Sequence, residues 1–399
     1  MESKGFSKLR LQRMHDVLAG FVDRGEIPGM VTLVSRKGEV HVEELGKHAI
    51  NGNRPMRRDT IFRIASMTKP ITAVAAMILV EQCKLRLDEP LDRFLPELAN
   101  HKVLRSLESP LEDFVPANRS ITLRDLLTFR LGIGAVMAPP DTYPIQRAMD
   151  EAGLSPGPNP PTLPSDEWMK RLGKLPFIYQ PGETWMYHTG SDILGIVIER
   201  ASGQKLEDFF RACIFEPLGM KDTSFYVPLE KLDRLPPSYM RDHGTGDLIV
   251  QDDPDHSRWG SMPAFQSGGG GLVSTVDDYL AFCQMMVNKG SHGRERILSR
   301  ASVELMTADH LTIAQKASAR IFFGDSSSWG FGVGVNIQRD DLFLVPGRFG
   351  WDGGIGTSGY SDPAEDMIGI LMTQRLMDSP APPNIFSDFW TLAYQAIND

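Results

Sequence analysis

Three cysteines in 399 residues, Cys83, Cys213 and Cys283, are too few and too far apart for a disulfide framework. No two of them stand two to four positions apart, so they form no zinc site either. Buried, reduced thiols are expected. No stretch reaches the roughly 18 uninterrupted apolar residues that a membrane helix needs. The start, MESKGFSKLRLQRMHD, has neither the apolar core nor the small-residue cleavage site of a secretory leader. Basic charge is in deficit, with 42 Lys and Arg against 51 Asp and Glu for a net charge of -9. That excludes the electrostatic footprint of a nucleic-acid or anionic-membrane partner. The rest is ordinary globular composition, 41% hydrophobic and 23% charged, enough for a large core. The expectation is a soluble cytoplasmic protein.

Several chemical signatures are also missing. There is no G-x-S-x-G, so the nucleophile elbow of α/β-hydrolases is excluded. The glycine run in SGGGGLVST (267–275) is followed by no Gly-Lys-Ser/Thr, so it reads as tight packing at a turn rather than a phosphate loop. His243 and His256 flank an acidic DDPD segment at 252–255, at a spacing that matches no common metal template. Nothing calls for a metal or a cofactor.

What is present divides the chain into three. Residues 7–24 place Leu11, Met14, Leu18, Phe21 and Val22 at helical spacing behind Ser7 as N-cap. MVTLVSRKGEVHVEEL reads as two strands joined at Lys37-Gly38. From about 86 to 220 helical signals dominate, including SDILGIVIERASG closing on Gly203 and LEDFFRACIFEPLGM ending before Pro217. Within this stretch the Pro- and Gly-rich segment 138–164 reads as a long irregular loop bordering a pocket. After STVDDYLAFCQMMVNKG, a helix capped at Ser274 or Thr275, four strand-like runs follow at 329–338, 341–350, 356–363 and 366–374. A last helix starts behind Pro382-Pro383. The fold class is therefore α+β. Residues 1–80 and 265–399 form a discontinuous sheet domain, and 81–264 a mostly helical domain inserted between them.

Three separated stretches carry candidate chemistry. In FRIASMTKPITAVAAMILVEQ, Ser66 and Lys69 stand one helical turn apart. Pro70 tolerates only a first turn and so sets the helix start near Ser66. A serine there is either a helix cap or a nucleophile. As a nucleophile it needs a nearby base, and Lys69 becomes one only if burial beside the apolar run lowers its pKa. The same spacing recurs at Ser202 and Lys205, but at a helix end before exposed charges. In QPGETWMYHTGSDILG, Tyr187 precedes a helix and is by itself aromatic filler or an acid–base group. In RFGWDGGIGTSGYSDP, Gly353 and Gly354 allow either close approach of a ligand to the backbone or a bulge.

In this order, Ser66-Met-Thr-Lys69, Tyr187-His188-Thr189 and Trp351-Asp352-Gly353 resemble the serine β-lactamase and penicillin-binding-protein superfamily. Class C β-lactamases and family VIII carboxylesterases are the nearest in pattern, and the resemblance spans nearly the whole chain. It implies a β-lactamase-like fold: an antiparallel sheet flanked by terminal helices, with the site where the sheet meets the helical part. It further implies acylation of Ser66, with Lys69 and Tyr187 exchanging its proton and either of them as the formal base. The backbone N–H groups of Ser66 and Gly354 would form the oxyanion hole. Thr189, Trp351, Asp352, Gly353 and His188 would contact substrate, with His188 lining the site rather than completing a triad.

Two departures shape the expected substrate. Trp351 stands where penicillin-recognising relatives carry lysine, and Thr189 where β-lactamases usually carry asparagine. Both favour uncharged, short-acyl esters over β-lactams. The alternatives are a β-lactamase or D-amino-acid amidase on the same residues, acyl transfer to an alcohol, or a catalytically silent binding protein. The expected partner is a small-molecule ester, and the oligomeric state, a homodimer included, stays open.

Overall fold

The computed structural model describes residues 5–399. Seven strands form its central sheet: β1 (Gly29–Arg36), β2 (Glu39–Gly46), β3 (Ser327–Trp329), β4 (Gly334–Asn336), β5 (Phe349–Gly353), β6 (Thr357–Asp362) and β7 (Met367–Thr373). Their order is β3-β4-β5-β6-β7-β1-β2, with every neighbouring pair antiparallel. The β1–β2 hairpin turns at Lys37 and Gly38, both left-handed at φ +49° and +79°, the conformation a two-residue hairpin turn demands.

Helices cover both faces. On one face α1 (Lys8–Asp23) and the C-terminal helix, which begins at Asn384, bring Leu18, Phe389 and Trp390 onto Met30, Val34 and Leu371. On the other, Val31, Leu33, Ile370 and Met372 join the main core together with α2 (Thr68–Glu81) and α4 (Val276–Val287). The helix α3 (Thr189–Ser202) lies beyond α2 and ends at the left-handed Gly203. Because β1 and β7 are covered on both sides, their sequences are nearly continuous apolar runs rather than alternating ones. Each such side chain contributes about 1.5–3 kcal/mol on burial. The α2 helix is buried all round from Thr68 to Leu79, so it is a central core helix rather than a surface one.

Several expectations need correction. Ser7 occupies the N-cap position of α1, yet its side chain makes no capping bond. Thr275 does cap α4, accepting from Asp278 N at 3.3 Å. The helix starting at Leu206 does not stop before Pro217: it widens into a π turn at Arg211–Phe215 and continues to Leu218. Residues 341–344 form no strand, and β5 begins only at Phe349, after the Pro346-Gly347 turn. The segment 138–164 is not wholly irregular, since Pro144–Glu151 is a helix. Of the cysteines only Cys283 is buried, its thiol pushed up to about 12 by that burial, while Cys83 is exposed; all three are free. Among the described residues no helix is long and apolar enough to cross a membrane.

Candidate active site

The nucleophile turn is built from short-range necessities. Phe62–Arg63 pairs with Val273–Ser274, and the Ile64 N–H continues that ladder to Leu272 O at 3.0 Å. The chain then reverses through Ala65, held at φ +44° although it carries a Cβ, a conformation that costs about 1–3 kcal/mol. A 3-10 turn at Ala65–Met67 presents Ser66, and α2 proper starts at Thr68. The sheet clamps this turn from the other side. The Thr357 hydroxyl donates to Ile64 O at 3.2 Å, and a Cβ on Gly353 would stand 2.4 Å from the same oxygen. Only glycine lets β5 approach so closely.

Lys69 is fully buried below Ser66. Its Nζ lies 2.8 Å from Ser66 Oγ, 2.6 Å from Gly269 O and 3.3 Å from His188 Nδ1. Loss of solvation lowers its pKa to about 7, with Asp192 pulling the other way. An amine that loses its proton near neutral pH can accept one from the serine hydroxyl.

Tyr187 stands beside the same pair, its ring centroid 4.6 Å from Lys69 Nζ. It is wedged among Trp185 (5.7 Å, 24°), Phe322 (4.9 Å) and the edge of Phe129 (5.8 Å). Its hydroxyl accepts the Trp351 indole N–H at 2.6 Å. Burial raises the phenol pKa, and hydrogen bonds with Ser66 and Trp351 only partly offset that. The group therefore keeps its proton at neutral pH.

His188 follows in a three-residue turn at φ +83° and ψ -65°, closed by Thr189 N to Tyr187 O at 3.3 Å. This γ-turn is rare and strained. Its imidazole is buried between Lys69 and Asp192, with Nε2 3.2 Å from Asp192 Oδ2. Burial and the nearby Lys69 lower its pKa. Asp192 also accepts from Ser267 Oγ at 2.6 Å and from Gly269 N at 3.0 Å. Burial pushes its carboxyl up, but the neighbouring His188, followed by these two bonds, outweighs it and holds the group below the usual carboxylate range.

A cleft of about 670 Å³ opens over Ser66. Its wall includes Met137, Pro156–Pro158, Phe322, Leu344 and Gly354, so part of the Pro-rich segment does border the pocket. Trp351 and Asp352 lie on this wall. Asp352 accepts from Ser358 Oγ at 2.6 Å and Tyr360 Oη at 3.3 Å, and burial raises its pKa to about 6. Thr189 is buried in the first turn of α3, and Gly353 faces Ile64 and Thr357; neither contributes to the wall. Ser202 and Lys205 sit at the far end of α3, as expected of a chance match. Asp192, Ser267 and the Gly269 carbonyl belong to the site but to none of the three sequence motifs. The four-residue spacing of His188 and Asp192 at a helix start was the available signal. Among the described residues no group of acidic, His and Cys side chains could hold a metal.

Comparison with known proteins agrees with this geometry. The sequence model of the Beta-lactamase family matches residues 14–385. Protein Rv1367c of Mycobacterium tuberculosis is 36% identical over 369 residues, 89% of this chain and 88% of that protein. Esterase EstB of Burkholderia gladioli is 30% identical over 378 residues, 89% of this chain and 88% of that one. Among solved structures, EstCE1, described as a hydrolase with promiscuous acyltransferase activity, superposes with a TM-score of 0.78 at 26% identity, covering 96% of this chain and 98% of its own. With its antiparallel sheet and flanking helices, the chain belongs to the β-lactamase family, within the serine β-lactamase and penicillin-binding-protein superfamily, and is a hydrolase-type enzyme.

Proposed function

We propose that the protein is a family VIII-type carboxylesterase that hydrolyses short-acyl esters through an acyl-enzyme on Ser66. The observation that carries this is the Lys69 amine, 2.8 Å from Ser66 Oγ and lowered to about 7. Ser66 Oγ attacks the ester carbonyl carbon while its proton passes to Lys69. The backbone N–H groups of Ser66 and Gly354 hold the oxyanion, each donor contributing about 3–4 kcal/mol in comparable sites. The carbon–oxygen bond to the alcohol then breaks, and Tyr187 protonates the leaving alkoxide. The proton held on Lys69 then restores Tyr187. In the second half-reaction water attacks the acyl carbon as Lys69 takes its proton, which passes to Ser66 Oγ as the acyl C–O bond breaks and the acid leaves. Lys69 serves as base and Tyr187 as acid because burial moves their pKa values in opposite directions.

The cleft supports a neutral ester. Among the described residues its wall carries Asp340, Asp341, Asp352 and Asp378 against a single cation, Arg348. That guanidinium is buried between the rings of Tyr360 (3.9 Å) and Trp390 (4.2 Å). Trp351, in the place where the resemblance puts a lysine in penicillin-recognising enzymes, directs its only donor at Tyr187. A second reading, acyl transfer to an alcohol in place of water, draws support from the likeness to EstCE1. Comparing p-nitrophenyl butyrate with a chromogenic cephalosporin tests the substrate class: turnover of the ester is expected, and turnover of the cephalosporin alone would overturn the esterase reading. Adding methanol separates the two acceptors, since methyl butyrate forms only if an alcohol competes at deacylation.

A further inference from the structure

We propose that Asp192 and His188 are positioning residues that aim the lone pair of the Lys69 amine at the Ser66 hydroxyl. This rests on the reading of Lys69 as the base.

A neutral lysine amine has two N–H donors and one lone pair. Its three polar neighbours here are Gly269 O at 2.6 Å, His188 Nδ1 at 3.3 Å and Ser66 Oγ at 2.8 Å. Gly269 O is a carbonyl and can only accept. His188 Nδ1 also accepts, because its other nitrogen faces the Asp192 carboxylate at 3.2 Å. An ionised carboxylate requires the ring proton to be on Nε2. With both N–H groups engaged, the lone pair is left pointing at Ser66. After proton transfer the ammonium has three donors, and the same three neighbours accept them.

One carboxylate organises both arms. Oδ2 of Asp192 fixes His188, while Oδ1 takes the Gly269 N–H at 3.0 Å and the Ser267 hydroxyl at 2.6 Å, holding the loop whose carbonyl meets Lys69. The strained γ-turn at His188 is what turns its ring back toward α2. Such strain persists only where surrounding contacts enforce it. The charged or titratable groups acting on the His188 ring are Lys69 from α2 and Asp192 from α3, with Tyr187 adjacent in the chain.

The test is kcat and KM for p-nitrophenyl butyrate across pH 5–10 in D192N, H188L and H188N, each first confirmed as folded by its melting temperature. Asparagine keeps an acceptor for the amine and tolerates positive φ, so H188N is the conservative rescue. The expected order of kcat is wild type, then H188N, then H188L, with H188L reduced about tenfold or more and KM nearly constant. In D192N kcat also falls, and the acidic limb of the profile moves to lower pH, because the carboxylate that favours the ammonium is gone. Folded D192N and H188L proteins with wild-type kcat and an unmoved acidic limb would overturn the proposal. Esterase activity that survives in S66A would instead overturn the functional reading, so the two failures are distinguishable.

Discussion

The Trp351 indole N–H reaches the Tyr187 hydroxyl at 2.6 Å, joining β5 to the turn before α3. An oxygen that accepts from Trp351 has its own proton free to point toward Ser66 and the leaving group. Trp351→Phe keeps the aromatic wall and removes the donor. Since that hydrogen bond lowers the phenol pKa, its loss makes Tyr187 a weaker acid. A bond of about 0.5–1.5 kcal/mol corresponds to a fall in kcat of roughly 2–12-fold, measured on a substrate with a poor leaving group such as ethyl butyrate.

Activity should follow the protonation of Lys69. The amine must be neutral to accept the Ser66 proton, and burial brings its pKa to about 7. The value of kcat/KM is therefore expected to be low at pH 5 and to rise through neutrality to a plateau. Lys69→Arg cannot deprotonate in this range and should lose about 10²–10⁴-fold in kcat. A flat wild-type profile from pH 5 to 9 would contradict the assignment.

The same group makes stability depend on pH. Lys69 is fully buried and its folded pKa lies below the unfolded value of 10.5. Between about 7 and 10.5 the unfolded chain binds more protons than the folded one, so this contribution to stability rises with pH across that window. Lys69→Met removes that slope and should stabilise the fold at pH 7 by something on the order of 1 kcal/mol while abolishing catalysis. Urea unfolding at pH 7 and 10 checks both statements, and a wild-type protein less stable at pH 10 than K69M by a wider margin than at pH 7 would contradict them.

The parts legible in the sequence were those that depend on local spacing. Lys37-Gly38 forms the expected hairpin turn, Gly203 closes α3, and the Ser66–Lys69 spacing places amine and hydroxyl within 2.8 Å. The 341–350 run misled because apolar residues at a pocket rim look like a strand. Phe343 and Leu344 line the cleft instead of pairing. By its sequence the helix ends before Pro217, because proline usually ends a helix, whereas a π turn precedes that proline and Gly219 ends the element. Ala65 and His188 were illegible for another reason. Alanine gives no signal of positive φ and a single histidine only a weak one, and both are held there by long-range contacts, from β5 and β6 on one side and from Lys69 and Asp192 on the other.

The central claim, that Ser66 is the residue acylated, is tested most directly by intact-protein and peptide mass spectrometry after reaction with an alkyl fluorophosphonate. One adduct per chain on the peptide containing Ser66, with parallel loss of p-nitrophenyl butyrate turnover and no adduct in S66A, is the predicted result. Labelling on another residue, or full esterase activity in the S66A protein, would contradict it.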